Sequence, residues 1–256
     1  MDGTVILWQL LAAYGFALAG GGISVGIRLS HESLCALISL AAGTLFGVTV
    51  FTLAPEALEF SAWWMAALAA ATGYLLFLLI SKYVHHVCPA CAASHFDADA
   101  ARHFNDIAVA LIVALAVHST SDGIALGVGG EIHRSMAGKW TLFAALCIHK
   151  LPEGLALGSL LIGAGYRQSA TFWWVAATEA TTLAGGAIGY FFLGHASLFW
   201  LALLMAHVAG GFIYLAVHAV LGELMRHGKT LVLTSFAIGV TIIGLLSLWL
   251  KMLALP

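Results

Sequence analysis

Charge is what this chain lacks. Only 9% of its 256 residues are Asp, Glu, Lys or Arg, against roughly 25% in a soluble domain, so a soluble fold is excluded. Ten Lys and Arg against twelve Asp and Glu leave a formal charge of −2. No basic field exists to hold a nucleic-acid backbone, and nucleic acid is not a partner. Of four cysteines, Cys35 and Cys147 fall in apolar stretches, which does not make a disulfide scaffold. There is no low-complexity tract or Pro-rich linker, so residues 1–256 read as a single transmembrane domain. Runs such as 66–80 do not alternate polar with apolar residues, which argues against β-barrel strands.

What remains is hydrophobicity, at 62% of the residues. A helix crosses a bilayer in about 20 residues and with its turn uses about 30, so this length holds about eight. Eight apolar segments are found, at about 4–27, 33–54, 61–81, 107–129, 140–163, 170–193, 196–221 and 231–250. The expected class is an all-α polytopic membrane protein with the lipid bilayer as its solvent. Phe16-Ala17-Leu18-Ala19-Gly20 looks like a signal-peptidase site, but Asp2 and no Lys or Arg precedes the apolar stretch, so the segment reads as a retained span.

Loop charge sets the direction, because cytoplasmic loops keep Lys and Arg. Arg28, Lys82, Arg102, Arg167, Arg226 and Lys229 lie on the side of the loops after spans 1, 3, 5 and 7, and only Arg134, Lys139 and Lys251 on the other. Both termini are therefore expected outside, with the loop at about 82–106 inside. A bacterial inner membrane is the expected location. That loop is the only sizeable polar stretch and carries His85, His86, Cys88, Cys91, His95 and His103.

Four charged residues fall inside the apolar segments: Asp122 in span 4, Lys150 and Glu153 in span 5, and Glu179 in span 6. A charge at bilayer depth costs about 2.5 to 3.5 kcal/mol even on the mildest scale, so an ion, or one another, must compensate them. The sequence around them repeats. His118-Ser119-Thr120-Ser121-Asp122-Gly123-Ile124-Ala125-Leu126-Gly127 and His149-Lys150-Leu151-Pro152-Glu153-Gly154-Leu155-Ala156-Leu157-Gly158 both read His, three residues, carboxylate, Gly, apolar, Ala, Leu, Gly. Residues four apart share a helix face, so each span offers one imidazole and one carboxylate to the same side.

Depth agrees with this. His118 lies sixteen residues before Arg134, near the hairpin tip, and His149 fifteen after it. In antiparallel helices the imidazoles come level to within about 1.5 Å. Asp122 and Glu153 bracket that level. Two nitrogen and two oxygen donors suit Zn²⁺, with Fe²⁺, Mn²⁺, Co²⁺ and Cd²⁺ as competitors, and suit Ca²⁺ or Mg²⁺ poorly. Gly123, Gly127, Gly154 and Gly158 allow close helix approach, and Pro152 frees a carbonyl near Ile148 and His149.

At these residues the chain resembles the ZIP family of divalent-metal transporters, with weaker elements of likeness at Ala54-Pro55-Glu56-Ala57 and Gly210-Gly211-Phe212-Ile213-Tyr214. The resemblance implies carriage of zinc, and often of iron, manganese or cadmium, towards the cytoplasm. It also implies spans arranged as three, two and three, with the outer triplets related by inversion. Carried over by position, the primary metal site falls on His118, Asp122, His149 and Glu153. Members with a second metal use an Asn, an acidic residue and a Glu where this chain has Ser119, Lys150 and Glu179. An ammonium there opposes a second cation, so the expectation is a mononuclear site with Lys150 paired to Glu179. His207, His218 and Glu223 are candidate transit ligands by the same resemblance, although Ala219 and Gly222 depart from its pattern. The cytoplasmic His/Cys loop is a candidate for accepting or sensing metal, with a redox pair at Cys88 and Cys91 as a weaker reading. A homodimer is left open.

The rival class is an intramembrane zinc-dependent hydrolase, in which Ser119 or a metal-bound water does chemistry with Glu179 as base. No His-Glu-x-x-His is present, and four apparent ligands leave no open coordination position, so the sequence favours a carrier over an enzyme.

Overall fold

The structure is a computed structural model that describes residues 3–27, 30–83, 101–132, 136–224 and 229–253. Every regular element among the described residues is helical. They are α1 (Gly3–Gly26), α2 (His31–Val48), a π-helical turn (Thr49–Leu53), α3 (Ala54–Phe60), α4 (Trp63–Tyr83), α5 (Ala101–Ile132), α6 (Met136–Gly163), α7 (Gln168–Glu179), α8 (Thr181–Ile188), a second π-helical turn (Gly189–Leu193), α9 (Leu198–Leu224) and α10 (Lys229–Leu253).

These elements join into eight rods that coincide with the eight apolar segments. The second rod runs α2, π-turn, α3, and the sixth runs α7, α8, π-turn. The second continues to Phe60 and does not stop at residue 54 as the sequence suggests, because Pro55 falls in the first turn of α3, where its missing N–H costs least. The polar loop is also shorter than read, since α5 begins at Ala101.

Among the described residues, six helices are long and apolar enough to cross a membrane: Gly3–Gly26, Cys35–Phe60, Trp63–Ile80, Lys139–Ile162, Leu198–Leu221 and Lys229–Met252. The other two rods, α5 and the broken sixth, carry the buried polar residues Ser119, Asp122, Thr178, Glu179 and Thr182. The protein is a polytopic membrane protein. Leu68, Phe192, Leu245 and Trp249 are exposed on its outside, as a lipid-facing surface requires.

Helix pairing follows from glycine. Gly20 of α1 lies on the Leu151 carbonyl of α6, and Gly154 of α6 lies on the Ala17 carbonyl of α1. The same reciprocal contact joins α5 to α8 (Gly123 on Thr182, Gly185 on Thr120), α4 to α9 (Gly73 on His207, Gly210 on Ala70) and α2 to α10 (Gly43 on Phe236, Gly239 on Leu40). A Cβ at any of these glycines would overlap a backbone carbonyl of its partner, so the helices approach backbone to backbone. The contacts advance together along both chains (Gly20 meets Leu151 and Ser24 meets Gly158; Gly123 meets Thr182 and Gly127 meets Gly186), so the paired helices are parallel.

Rods 1 and 5, 4 and 6, 3 and 7, and 2 and 8 are thus the closest pairs. Exchanging rods 1, 2, 3 and 4 for 6, 7, 8 and 5 maps this set of pairs onto itself. Rods 1, 4, 5 and 6 contact one another, rods 2, 7 and 8 do the same with rod 3 against rods 2 and 7, and the two groups meet chiefly where α2 and α10 pack on α6 and α9 on α5.

Candidate metal centre

The heptapeptides His118–Ile124 and His149–Leu155 lie within unbroken helix, so the four-residue spacing places each imidazole and its carboxylate on one face. His118, Asp122, His149 and Glu153 each point one donor atom into a common space, and these atoms lie within 4.8 Å of one another. His118 Nε2 is 3.5 Å from Asp122 Oδ2 and 3.8 Å from Glu153 Oε1. His149 Nε2 is 3.2 Å from Asp122 Oδ2 and 4.0 Å from Glu153 Oε2. A tetrahedron with ligand bonds of about 2.1 Å has edges of about 3.4 Å, so four donors within 4.8 Å of one another need only draw inward to surround one zinc-sized ion.

Orientation is fixed from behind. His149 Nδ1–H donates to the Ala145 carbonyl at 3.0 Å, which leaves Nε2 as the ring's lone-pair side toward the other donors. His118 and His149 stand with ring centroids 5.5 Å apart, level as the residue count requires. All four residues are buried or nearly so, and Asp122 Oδ1 has no hydrogen-bond partner. A buried carboxylate oxygen without a donor is a group that calls for a cation.

The glycines of the two motifs face away from this space. Gly123 and Gly127 seat α5 on α8 and its π-turn, and Gly154 and Gly158 seat α6 on α1. Each ligand helix is therefore clamped on its back by another helix of the same group, while its front carries the donors.

Lys150 is wholly buried and forms the expected pair with Glu179, Nζ to Oε2, at 3.0 Å. The pair is not closed on itself. The ammonium also lies 2.8 Å from Asp122 Oδ2, 2.8 Å from Glu153 Oε2 and 2.6 Å from Ser119 Oγ. Ser119 in turn donates to Glu179 Oε2 at 3.1 Å. Glu179 ends α7, and the chain bends at Ala180 before α8 begins. Thr181 covers the bend by donating to the carbonyls of Thr178 and Ala116.

The second group of helices faces this charged cluster with apolar side chains. Phe212 of α9 sets its ring edge-on to both imidazoles, at centroid distances of 5.6 Å from His118 and 6.3 Å from His149, and Phe77 of α4 lies 6.2 Å from His118. Sequence reasoning missed Phe77 and singled out Phe212 only within an element of likeness, since nothing in their spacing separates them from lipid-facing aromatics. A pocket of about 80 Å³ starts at His118, His149 and Glu153 and runs past Leu115, Ala156, Leu215 and Ala219. That volume holds about two or three waters. These residues all lie on the side of the quartet nearer the connections after rods 1, 3, 5 and 7. On the opposite side Val48, Leu126, Leu142, Leu146, Leu201 and Met205 form a buried apolar plug.

The other candidates lie elsewhere. His207 Nδ1 hydrogen-bonds Thr72 Oγ1 at 2.8 Å, which turns its ring toward α4. His218 donates Nδ1–H to the Tyr214 carbonyl at 2.9 Å and stacks on the Tyr214 ring at 3.9 Å. Neither imidazole joins the quartet. The side chain of Glu223 and the whole of His85, His86, Cys88, Cys91 and His95 lie outside the described residues. Cys35 and Cys147 are buried and are not joined in a disulfide.

A family model described as ZIP zinc transporter matches residues 91–249, which takes in both ligand motifs and five of the eight rods. The chain belongs to the ZIP family. Its members are transporters and not enzymes, which removes the hydrolase reading of Ser119 and Glu179. A curated relative, IAA-alanine resistance protein 1 of Arabidopsis thaliana, is 31% identical over 120 residues, a stretch that covers 44% of this chain and 24% of that protein. The chain thus matches about a quarter of the length of that ZIP-related sequence.

Proposed function

We propose that this ZIP-family chain is a carrier that moves Zn²⁺, or a similar dication such as Fe²⁺, Mn²⁺, Co²⁺ or Cd²⁺, towards the cytoplasm through one site formed by His118, Asp122, His149 and Glu153. The observation that carries the reading is the quartet's geometry: four donors of the right chemistry, from two helices, within 4.8 Å of one another, deep among apolar helices. Two carboxylates balance one dication, and Lys150 offsets Glu179, so the loaded site is neutral with a single ion. The ammonium, set among the oxygens of Ser119, Asp122, Glu153 and Glu179, stands against a second ion.

Eight spans in a single domain over residues 1–256, arranged as three, two and three, are the architecture we assign. Support comes from the helix pairs, which are preserved when rods 1 to 3 are exchanged for rods 6 to 8 and rod 4 for rod 5. Exchanged rods differ by an odd number of crossings and so run in opposite directions, as inverted repeats do. Every charge of the site belongs to rods 4, 5 and 6, within one four-rod group, and the other group presents Phe77, Phe212, Leu45 and Leu215. The first group sliding or rocking against the second would carry the ion from one side to the other.

We read both termini as outside, a direction supported by the excess of Lys and Arg in the loops after spans 1, 3, 5 and 7, and take the membrane to be a bacterial inner membrane. On that orientation the pocket leads to the cytoplasm and the plug closes the outer side. Metal-dependent uptake into proteoliposomes tests the proposal. His118→Ala and Glu153→Ala should each abolish saturable zinc entry, and normal import by both variants would overturn the site.

A further inference from the structure

Lys150 does more than cancel Glu179. Its Nζ has three protons and four oxygens within 3.0 Å, from Ser119, Asp122, Glu153 and Glu179, with the side chain fully buried. Two of those oxygens belong to carboxylates of the quartet. Asp122 Oδ2 is the atom that closes on both imidazoles, 3.5 Å from His118 and 3.2 Å from His149, and it is also 2.8 Å from the ammonium. Glu153 spans the same gap, with Oε1 toward His118 and Oε2 toward Lys150. A dication on the quartet and the ammonium therefore draw on the same two carboxylates, one carboxylate's width apart and in surroundings of low dielectric.

We infer, resting on the carrier reading above, that Lys150 is a tethered competitor of the transported ion, which lowers the affinity of the site and so sets how fast the ion is released. Like charges held this close in a buried site repel strongly, and each ion pair with Lys150 takes negative potential away from the quartet. Removing the charge leaves both carboxylates to the metal. Weakening the pull of Glu179 on Lys150 does the reverse, because the ammonium is then shared between Asp122 and Glu153 alone. Lys150 is thus a positioning residue for release: it need not touch the ion to control it.

The test uses the full chain, purified in detergent and titrated with Zn²⁺ and with Cd²⁺ against a chromogenic chelator. Lys150→Gln should bind at least about tenfold more tightly than wild type. In proteoliposomes its KM and kcat should fall together, because tighter holding slows release. Lys150→Met, close in length and uncharged, repeats the measurement should the Gln variant not fold. Glu179→Gln should shift affinity the opposite way, a pairing of signs that a merely structural role would not produce. Unchanged or weaker binding in the Lys150 variants, over an intact wild-type site, overturns this inference alone. A wild-type protein that binds neither ion sinks the carrier reading and the inference with it.

Discussion

Asp122 Oδ2 lies between two claims, 3.2 Å from His149 Nε2 and 2.8 Å from Lys150 Nζ. The carboxylate oxygen that closes on both imidazoles is also held by the protein's own cation, at the same distance as Glu153 Oε2. Substitutions at Asp122 should therefore act on metal binding and on Lys150 at once. Asp122→Asn is expected to weaken zinc binding by at least about 100-fold, more than loss of an outer partner of a metal ligand typically costs. Equilibrium titration of purified protein measures it, and binding within a few-fold of wild type would contradict the assignment.

Stoichiometry follows from the same oxygens. Elemental analysis of purified, zinc-saturated wild type should give one ion per chain at the transport site. Lys150→Asp removes the ammonium from among four oxygens and adds a carboxylate, so its count should rise to two, provided the variant keeps its helical circular dichroism.

Charge cancellation at Lys150 and Glu179 should be visible as partial rescue. Lys150→Gln together with Glu179→Gln is expected to bring zinc affinity and uptake nearer to wild type than either single change does. Rescue should be incomplete, because Lys150 is also paired with Asp122 and Glu153. A double-mutant cycle on uptake rate gives the coupling directly.

The pocket below the quartet separates binding from passage. Ala219→Trp or Ala156→Phe fills space beside Leu215 and Leu115 without removing a ligand. Uptake should drop at least about tenfold while zinc affinity changes by less than about threefold, the pattern expected when a conformational or release step and not binding is blocked.

Stability should track the glycine contacts. Gly154→Ala and Gly123→Ala place a methyl group on a partner's carbonyl and are expected to cost about 1 to 3 kcal/mol, read as a lower melting temperature in detergent. Gly15→Ala and Gly22→Ala, where nothing lies within 4 Å of the added atom, should instead be neutral or stabilising by up to about 1 kcal/mol.

The quartet was legible in the sequence because hydrophobic surroundings make each charge conspicuous and because helix geometry converts spacing into face and depth. His118 and Asp122, with His149 and Glu153, needed only the 3.6-residue turn to be brought together. Lys150 was read against Glu179 alone, since a linear sequence does not say that a long, flexible side chain reaches three carboxylates at once. Phe77 was not legible at all, and Phe212 stood out only as part of an element of likeness, with no place beside the imidazoles. One Phe against lipid and another against an imidazole look the same in an apolar run, and only tertiary packing tells them apart. The second rod's extension past Pro55 was missed because a proline reads as a stop unless the preceding turn is known to be wide. The glycines were read correctly as sites of close approach. That their partners are α1 and α8, and not the two ligand helices themselves, required the fold.

The wall of rings and methyl groups opposite the site has an electrical consequence. Three carboxylates, one ammonium and one dication make a package with no net charge, and none of its ionic contacts reaches across to Phe77, Phe212 or Leu215. If the bundle moves with one ion as proposed, it does so free of a field that would otherwise do about 2.3 kcal/mol of work per elementary charge per 100 mV. Inward passage of the filled carrier should be nearly indifferent to membrane voltage, and any voltage sensitivity should belong to its return.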